Sequence, residues 1–566
     1  MLFARLFSDN HDSCIMKKDI TGGGFRVTEK SKSLIGGISI LGLAGMICKV
    51  VGVLYRIPLA DSIGGDGLGV YSKVFSAYNM LLTIASVGIP VAISRMVSHY
   101  VTRGDGRSAH RVFSVAAPAL GILGLIGTLV LLLGSGYLSQ RVGTPETRLG
   151  YIAIAPSVVL VCVMGAFRGY MQGHRRMLPT AISQLIEQVG KVFVALPLAA
   201  LGMRRGGPGM GAAGALLGTS MAEAVALAYM IFAHMRARAG FDAAPQAVEQ
   251  SASRRVIGRN LAVIAVPITL GSCIVPLASL IDSFMVTRLM ENGGMAADEA
   301  LVRYGLYSGM VLTLINVPTA LAMAMSTNLV PAISAGLARG DTALVSNESR
   351  TGMRVAAVVG FPCSIGMSLL ARPILYLCYG YSGRYTPLQL DIAAELLTVS
   401  AMTIILFTMV QATTGILQGC GKQRIPTYTL LAGVICKVAL NFTLIAMPSI
   451  NIHGAPIASL VCYTVSMVPN LIFTVKYAAG GMPWREIVLR PLAAALPMGA
   501  VVWVLWHFIF TDTCLHAGRM KLLLGVMVCV GIGVIVYVLL AVAVGAVKRE
   551  DLPARIRRLI PRRIGK

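Results

Sequence analysis

The chain has 566 residues, 56% of them hydrophobic and only 13% charged, with a mean hydropathy of +0.74. Soluble domains carry about 25% charged residues, so a water-soluble fold is excluded for most of the sequence. The net charge of +25 would suit nucleic acid, but Lys and Arg also collect in the cytoplasmic loops of any multispan protein. Nucleic acid is therefore not an expected partner.

Residues 1–33 are polar and basic (Lys17, Lys18, Arg26, Lys30, Lys32). No short apolar run with a small-residue cleavage site precedes the first long apolar stretch, so an uncleaved cytoplasmic tail is expected. Apolar stretches of about 20 residues, the length that crosses a bilayer, then start near residues 34, 71, 112, 149, 180, 211, 260, 304, 352, 391, 427, 453, 488 and 521. The expected fold class is an all-α polytopic membrane protein with 14 transmembrane helices. Loops are short, and the longest, near 236–259, is basic. With the N-terminus inside, the inside segments hold about three times as many Lys and Arg as the outside loops. Arg175, Arg176, Arg254, Arg255 and Arg259 fall inside, and an even span count places the C-terminus there too. The tail 548–566 alternates basic and apolar residues, as expected of a topology anchor touching anionic headgroups.

Two segments recur at fixed distances. Gly69-Val70-Tyr71-Ser72 returns as Gly305-Leu306-Tyr307-Ser308, and Arg103-Gly104-Asp105 as Arg339-Gly340-Asp341, both 236 residues on (305 − 69; 339 − 103). Gly169-Tyr170-Met171-Gln172-Gly173 answers to Gly415-Ile416-Leu417-Gln418-Gly419, and Lys191-Val192 to Lys437-Val438, both 246 on (415 − 169; 437 − 191). Spans 1–6 (34–236) and 7–12 (260–478) are thus expected to be two copies joined by a linker at 237–259. Six spans is even, so both copies enter the membrane in the same sense, related by an axis along its normal. Residues 479–547 add two helices without partners.

Prolines sit within many spans, among them Pro90, Pro118, Pro156, Pro197, Pro318, Pro362 and Pro469. Pro267 and Pro276, close together in the seventh, point to a hinge. Glycines such as Gly36, Gly37, Gly42 and Gly45 suit close helix packing. The eleven cysteines lie mostly in apolar segments (Cys48, Cys162, Cys273, Cys436, Cys462) without C-x-x-C spacing, as small buried apolar residues do. No nucleotide-binding, zinc-binding or nucleophile-elbow motif occurs. Gly206-Gly207-Pro208-Gly209 reads as an external turn. No cofactor is expected.

The informative residues are charges within spans, each costly unless paired or wet. Lys49, Arg56, Lys73, Lys191 and Lys437 are basic; Glu187, Glu223, Asp282 and Glu395 are acidic. Lys191 and Lys437 are repeat equivalents near mid-membrane, where two cations could line a cavity and hold a diphosphate. Glu187 and Lys191, four apart on one face, could instead neutralise each other, and Lys73 could snorkel from a span end. Lys49 has no acid within one turn. Arg95 and Arg168, near cytoplasmic ends, read as topology determinants. Asp282 lies near the outer end of its span.

Several of these segments resemble one family. Cys48-Lys49-Val50-Val51-Gly52 through Ile63-Gly64-Gly65-Asp66-Gly67-Leu68-Gly69-Val70-Tyr71 is similar to the opening of the MurJ/SpoVB branch of the MOP (multidrug/oligosaccharidyl-lipid/polysaccharide) flippases. Gly88-Ile89-Pro90-Val91-Ala92-Ile93-Ser94-Arg95 through Arg103-Gly104-Asp105 follows the same pattern, as does Arg168-Gly169-Tyr170-Met171-Gln172-Gly173 with Ser183-Gln184-Leu185-Ile186-Glu187-Gln188. So do Leu329-Val330-Pro331-Ala332-Ile333-Ser334 and Ile416-Leu417-Gln418-Gly419. Within the branch, Ile274-Val275-Pro276-Leu277 with Ile281-Asp282, and Leu417-Gln418-Gly419 with Lys422-Gln423, look closer to Gram-positive MurJ-type than to SpoVB-type members. The resemblance implies a two-lobed flippase of the bacterial cytoplasmic membrane that moves a lipid-diphosphate-linked saccharide through a cavity lined by basic residues. Lys49 falls where the family has a basic residue. Arg56 fits the SpoVB-like pattern but is one place from the Gram-negative arginine. Neutral residues near Thr83 and Thr313 stand where Gram-negative members have two further arginines.

The expected function is that of a non-enzymatic flippase, most of all for lipid II in peptidoglycan synthesis. It would act as a monomer among membrane lipids, with Lys49, Arg56, Lys73, Lys191, Lys437, Glu187, Glu223 and Asp282 as candidate substrate-site residues. The alternatives are a SpoVB-like sporulation or polysaccharide flippase and a cation-coupled MATE-type drug exporter. A membrane glycosyltransferase would need metal-binding acids and a large extramembrane loop, which the short loops do not supply.

Overall fold

The structure, a computed structural model, describes residues 29–242, 253–478, 481–510 and 518–547; for residues 29–43, Met46, Lys49, Ala85 and residues 238–242 it describes the backbone alone. Expectations about the two tails, about the surroundings of Gly36, Gly37 and Gly42, and about the Lys49 side chain therefore lie outside the described residues. Among the described residues regular structure is entirely helical. The helices run α1 (Glu29–Ser86), α2 (Gly88–Thr102), α3 (Gly106–Val142), α4 (Thr147–Gly173), α5 (Leu178–Gly190), α6 (Leu196–Asp242), α7 (Arg254–Ser272), α8 (Ile274–Asn292) and α9 (Ala297–Gly305). They continue as α10 (Leu312–Ala338), α11 (Thr342–Leu369), α12 (Ala371–Tyr379), α13 (Pro387–Ala401), α14 (Thr403–Gly419), α15 (Arg424–Leu444), α16 (Gly454–Tyr477), α17 (Arg490–Leu505) and α18 (Arg519–Ala543).

Eleven helical stretches are long and apolar enough to cross a membrane, or twelve if α7 and α8 count as one bent span. Two of the eleven, Val50–Thr102 and Leu178–Ala237, are 53 and 60 residues long, far beyond the 30 Å of a hydrocarbon core at 1.5 Å per residue. Each contains a reversal. In α6 the turn is Gly206-Gly207, with Gly207 at φ 77°. Methyls added to Gly202, Gly214 and Gly218 would meet Met210, Leu198 and Ala195 across it, so the two arms run antiparallel. In α1 the turn is Gly64, at φ 70°, and Arg56 on one arm lies over Phe75 on the other. Only glycine holds these left-handed backbones without strain.

The duplication appears as repeated packing. A methyl on Gly169 (α4) would lie 2.7 Å from the Pro90 carbonyl oxygen of α2, and one on Gly415 (α14) 2.7 Å from the Ser326 carbonyl oxygen of α10. Gly173 presses on Ser94 and Val97, Gly419 on Val330 and Ile333, and Gly124 and Gly360 meet Cys162 and Thr408 in the same way. Each pair is related by the offsets of 236 and 246 read in the sequence. Such small residues let helix backbones touch, the main source of attraction between helices in lipid. The repeated Arg-Gly-Asp turns are also equivalent. Gly104 (φ 75°) and Gly340 (φ 68°) reverse the chain, and Asp105 and Asp341 then accept hydrogen bonds from the Ser108 and Leu344 amides at 2.8 and 2.9 Å, capping α3 and α11.

Between Gly360 and Ile405 the offset grows from 236 to 246, so the ten extra residues (246 − 236) lie around α12 and the turn that follows it. That turn carries Tyr385, whose hydroxyl donates to the Ala60 carbonyl at 2.7 Å. The insertion thus ties the second copy to the first at one end of the bundle. Nearby, Gly69 and Gly305 touch: a methyl on Gly305 would sit 2.6 Å from the Gly65 carbonyl oxygen and 2.7 Å from the Gly69 nitrogen. The repeated Gly-x-Tyr-Ser motif is the place where the copies cross. This end also carries the Gly64 and Gly207 reversals; the opposite, basic end carries Arg95, Arg103, Arg175 and Arg339.

The bend expected between Pro267 and Pro276 lies at Cys273, where α7 and α8 meet at 46°. The two halves belong to different cores. Ile257, Leu261 and Ala265 of α7 pack with Val112 and Ala116 of α3, whereas Val286, Leu289 and Met290 of α8 pack with Tyr304, Ile445 and Ile452. Prolines elsewhere, such as Pro118, Pro156 and Pro362, sit inside helices that continue through them.

Candidate functional site

The candidate charges fall in four places rather than one. The first is the seam between the copies. Arg56 is half-buried on α1, where its guanidinium lies 5.1 Å from the Phe75 ring centre and 5.9 Å from that of Tyr71. It also donates to the Thr313 hydroxyl of α10 at 3.3 Å. A cation resting on aromatic faces keeps its outer N–H groups usable. Thr313, one of the neutral residues expected where relatives have arginine, thus meets an arginine from the other copy.

Lys73 does not snorkel. It is 1% exposed, and its ammonium donates to the Val142 carbonyl (3.0 Å), the Thr144 hydroxyl (2.8 Å) and the Thr287 hydroxyl (3.0 Å). An ammonium has three donors, and all are used inside the protein. Lys73 is a tie between the α3–α4 turn and α8.

The third place joins α4, α5 and α6 in the first copy. Glu187 does not neutralise Lys191. Its Oε1 takes Arg168 at 2.9 Å, and Arg168 also donates to Ser183 at 3.0 Å. Arg168 is therefore the partner of an intramembrane acid rather than a topology determinant alone. Arg168 reaches Glu187 from the neighbouring helix α4, and Lys191, four residues on, opens a π-helical turn at Lys191–Ala195. Lys191 makes no hydrogen bond or ion pair among the described residues. Glu223 of α6 is 3% exposed; the Tyr78 hydroxyl donates to its Oε1 at 2.6 Å, and its Oε2 is buried without a partner.

The fourth place is in the second copy. Lys437 (α15) donates to Asp282 Oδ2 at 2.5 Å, and the Asn441 amide to Asp282 Oδ1 at 2.9 Å. Asp282 is thus the anchor of a partly buried ion pair between α8 and α15, and Lys437 is a neutralised cation. Asn441, four residues beyond Lys437 on the same face, is the signal in the sequence that could have revealed this cluster. Glu395 meets His453 at 3.0 Å and is largely exposed. Lys191 and Lys437 lie at the same step, 13 residues after their helices start (191 − 178; 437 − 424).

At the basic end a crevice of about 650 Å³ opens between α2 and α7, lined by Arg95, His99, Tyr100, Arg103 and Asn260. It lies where α7 leaves the second copy to pack on the first. Cations here could meet an anionic group arriving from the basic side.

A duplicated bundle of membrane-length helices, with charges buried at its helix contacts and a cationic crevice between the copies, is the architecture of a secondary transporter. The chain belongs to the polysaccharide biosynthesis protein family, whose profile matches residues 34–337, and a MatE profile matches residues 267–443. It is thus a membrane transporter of the MOP superfamily, of the MurJ/SpoVB type. It is 25% identical over 532 residues to the lipid II flippase MurJ of Bacillus subtilis (strain 168), covering 90% of this chain and 94% of that one. To stage V sporulation protein B of the same organism it is 26% identical over 428 residues, 75% and 80% of the two chains. Among solved structures it superposes on a lipid II flippase MurJ in an inward closed conformation with a TM-score of 0.67 at 12% identity, covering 88% and 97%. An inward-facing MATE transporter of the MOP superfamily gives 0.65 at 13%, covering 78% and 98%. These two likenesses establish the fold.

Proposed function

We propose that this protein flips a lipid-diphosphate-linked saccharide, lipid II in the first instance, across the bacterial cytoplasmic membrane by alternating access. The observation that carries the reading is Arg56, a cation held on aromatic rings at the seam of the two copies and reaching the opposite copy at Thr313. Its support is the relationship to MurJ along nearly the whole chain. The headgroup enters by the cationic crevice at the basic end, and Arg56 and Lys191 hold the diphosphate while the lipid tail stays in the bilayer. The copies then rock about the seam where Gly69 meets Gly305. No covalent step is required.

Counting each long hairpin as two crossings and the bent pair as one gives fourteen spans (11 + 1 + 2), with both termini in the cytoplasm. Two six-helix lobes, at 34–236 and 260–478, then flank the cavity, and the protein works as a monomer. The test is complementation of a conditional lipid II flippase mutant. Growth should be restored by the wild type and lost with Arg56→Ala at unchanged protein abundance. Failure of the wild type, present in the membrane, would end the lipid II reading. Rescue of a sporulation flippase mutant instead would favour the SpoVB-like role.

A cation-coupled exporter is the second reading, favoured by the MatE match over residues 267–443, which includes Asp282. Against it, Lys437 already occupies that acid. Unchanged drug susceptibility on overexpression would remove it.

A further inference from the structure

Glu223 has no role in the cycle above, yet it is the acid whose burial is hardest to explain. It sits at 3% exposure in the first copy with one donor, Tyr78, on Oε1 and none on Oε2. An ionised carboxyl with an unmet oxygen is strongly disfavoured in an apolar bundle; the neutral acid is not. The charged groups that act on it come from one neighbouring helix, α5 with its π turn: Lys191 and Glu187. From α1 it meets Tyr78, and Cys48 of α1 lies beside Lys191 and Glu187. From α4 its polar neighbour is Ser157, while Arg168 of α4 is committed to Glu187. Among the described residues, Lys191 is therefore the cation in this group not already engaged by an acid.

Backbone contact brings the two helices together, and the charge of Lys191 acts on Glu223. A methyl on Gly190 would lie 2.6 Å from the Ala222 side chain, and Lys191 and Glu223 are the next residues on the two helices. Lys191 also opens the π-helical turn, a wide turn that often marks functional positions. An ammonium in this place has two possible partners: the carboxylate of Glu223, or an anion in the cavity.

We propose that Glu223 is a proton-binding site governed by Lys191, so that loading a diphosphate on Lys191 is accompanied by uptake of one proton at Glu223. The proposal rests on the cargo reading above. Without cargo, the ammonium of Lys191 faces the carboxylate of Glu223, and the pair is neutral. When diphosphate oxygens take the donors of Lys191, Glu223 loses its counter-charge and accepts a proton from water in the cavity. One O–H bond forms on the carboxyl as one O–H bond of a hydronium ion in the cavity water breaks, and the interior of the first copy again carries no unpaired acid. Release on the other side reverses the exchange. In the structure Oε2 has no partner and Lys191 makes no ion pair among the described residues, so both groups are open to this exchange. Proton and cargo thus move together.

The test uses the purified full-length protein and farnesyl diphosphate as probe. Calorimetric titrations at one pH, in two buffers of different ionisation enthalpy, count the protons exchanged on binding. The wild type should take up about one proton per ligand. Glu223→Gln keeps the shape and the Tyr78 contact, and should bind within about threefold of wild type while losing that uptake. Protons that the diphosphate itself exchanges remain in this variant and are subtracted by it. Infrared difference spectra of wild type minus Glu223→Gln should show a protonated-carboxyl band that grows on adding the probe. Wild-type binding without buffer dependence, uptake unchanged in Glu223→Gln, or no such band would overturn the proton site and leave the cargo reading standing. No binding of the probe to a folded wild type would overturn the cargo reading, and the coupling with it.

Discussion

Lys191 and Lys437 occupy the same step of the two copies, and their surroundings differ. Lys437 is clamped by Asp282 and Asn441 between α8 and α15. Lys191 stands at a π turn beside a nearly buried acid and makes no ion pair among the described residues. The glycine contacts of α4 on α2 and of α14 on α10 are matched in the two copies. Duplication has kept the packing, which every helix pair needs to associate in lipid, and let the charges diverge. One copy uses its lysine as a fixed tie, and the other leaves its lysine without an ion pair among the described residues.

The hardest way to break this contrast is to remove the acid of the second copy. Asp282→Ala leaves Lys437 buried and unpaired, which costs about 3–5 kcal/mol. The protein should melt far earlier in detergent and fall in abundance. Replacing the pair together, Asp282→Leu with Lys437→Met, should recover most of the loss, because the desolvation of both charges disappears with them. Lys191→Ala should leave abundance and melting near wild type and reduce flipping. If Lys191→Ala destabilises as much as Asp282→Ala, the two lysines are equivalent and the contrast fails.

Next in size come the matched glycines. Gly169→Val and Gly415→Val each force side-chain atoms against a carbonyl oxygen that a Cβ alone would approach to 2.7 Å. Overpacking of this kind costs about 1–3 kcal/mol. The two losses should be similar when measured by thermal unfolding of the separate variants. A large difference would show that the copies are packed to different tolerances, and that the symmetry is one of backbone only.

Lys73→Met tests a tie between the copies. It removes three hydrogen bonds and leaves the Val142 carbonyl and the Thr144 and Thr287 hydroxyl oxygens without their donor. The expected loss is about 1–3 kcal/mol, read as a lower melting temperature. A variant as stable as wild type would mean that the buried ammonium costs as much in desolvation as its three acceptors return.

The sequence carried the repeat, its two offsets, the reversal at Gly206-Gly207 and the bend between Pro267 and Pro276, because each depends on local chemistry: a left-handed glycine, a missing amide, a small residue at a helix crossing. It did not show which charges pair. Lys73 finds acceptors 69, 71 and 214 residues away, and no periodicity records such distances. Glu187 pairs with Arg168, 19 residues away on another helix, and the four-residue rule, which sees one helix at a time, does not register such a partner. Asp282 with Lys437, separated by 155 residues, became visible only when α8 and α15 were placed together. Tyr385 lies in the ten residues by which the copies differ, so the repeat itself gave no template for it.

The smallest effect concerns Thr313 and separates two accounts of Arg56. Its hydroxyl accepts from Arg56 at 3.3 Å, a long hydrogen bond, and also donates to the Gly309 carbonyl of its own helix. Thr313→Val keeps the shape, removes the cross-copy contact, and leaves Arg56 resting on Phe75 and Tyr71. One long hydrogen bond to a half-exposed cation is worth less than about 1 kcal/mol, so melting should hardly move. If Arg56 serves by offering its charge to the cargo, flipping by Thr313→Val should stay within about threefold of wild type, because the charge and the aromatic cradle remain. If Arg56 serves instead by latching one copy to the other, losing Thr313 should alter the rate as much as Arg56→Ala does. Rates for both variants in vesicles containing a fluorescent lipid-diphosphate saccharide decide between a ligand and a latch.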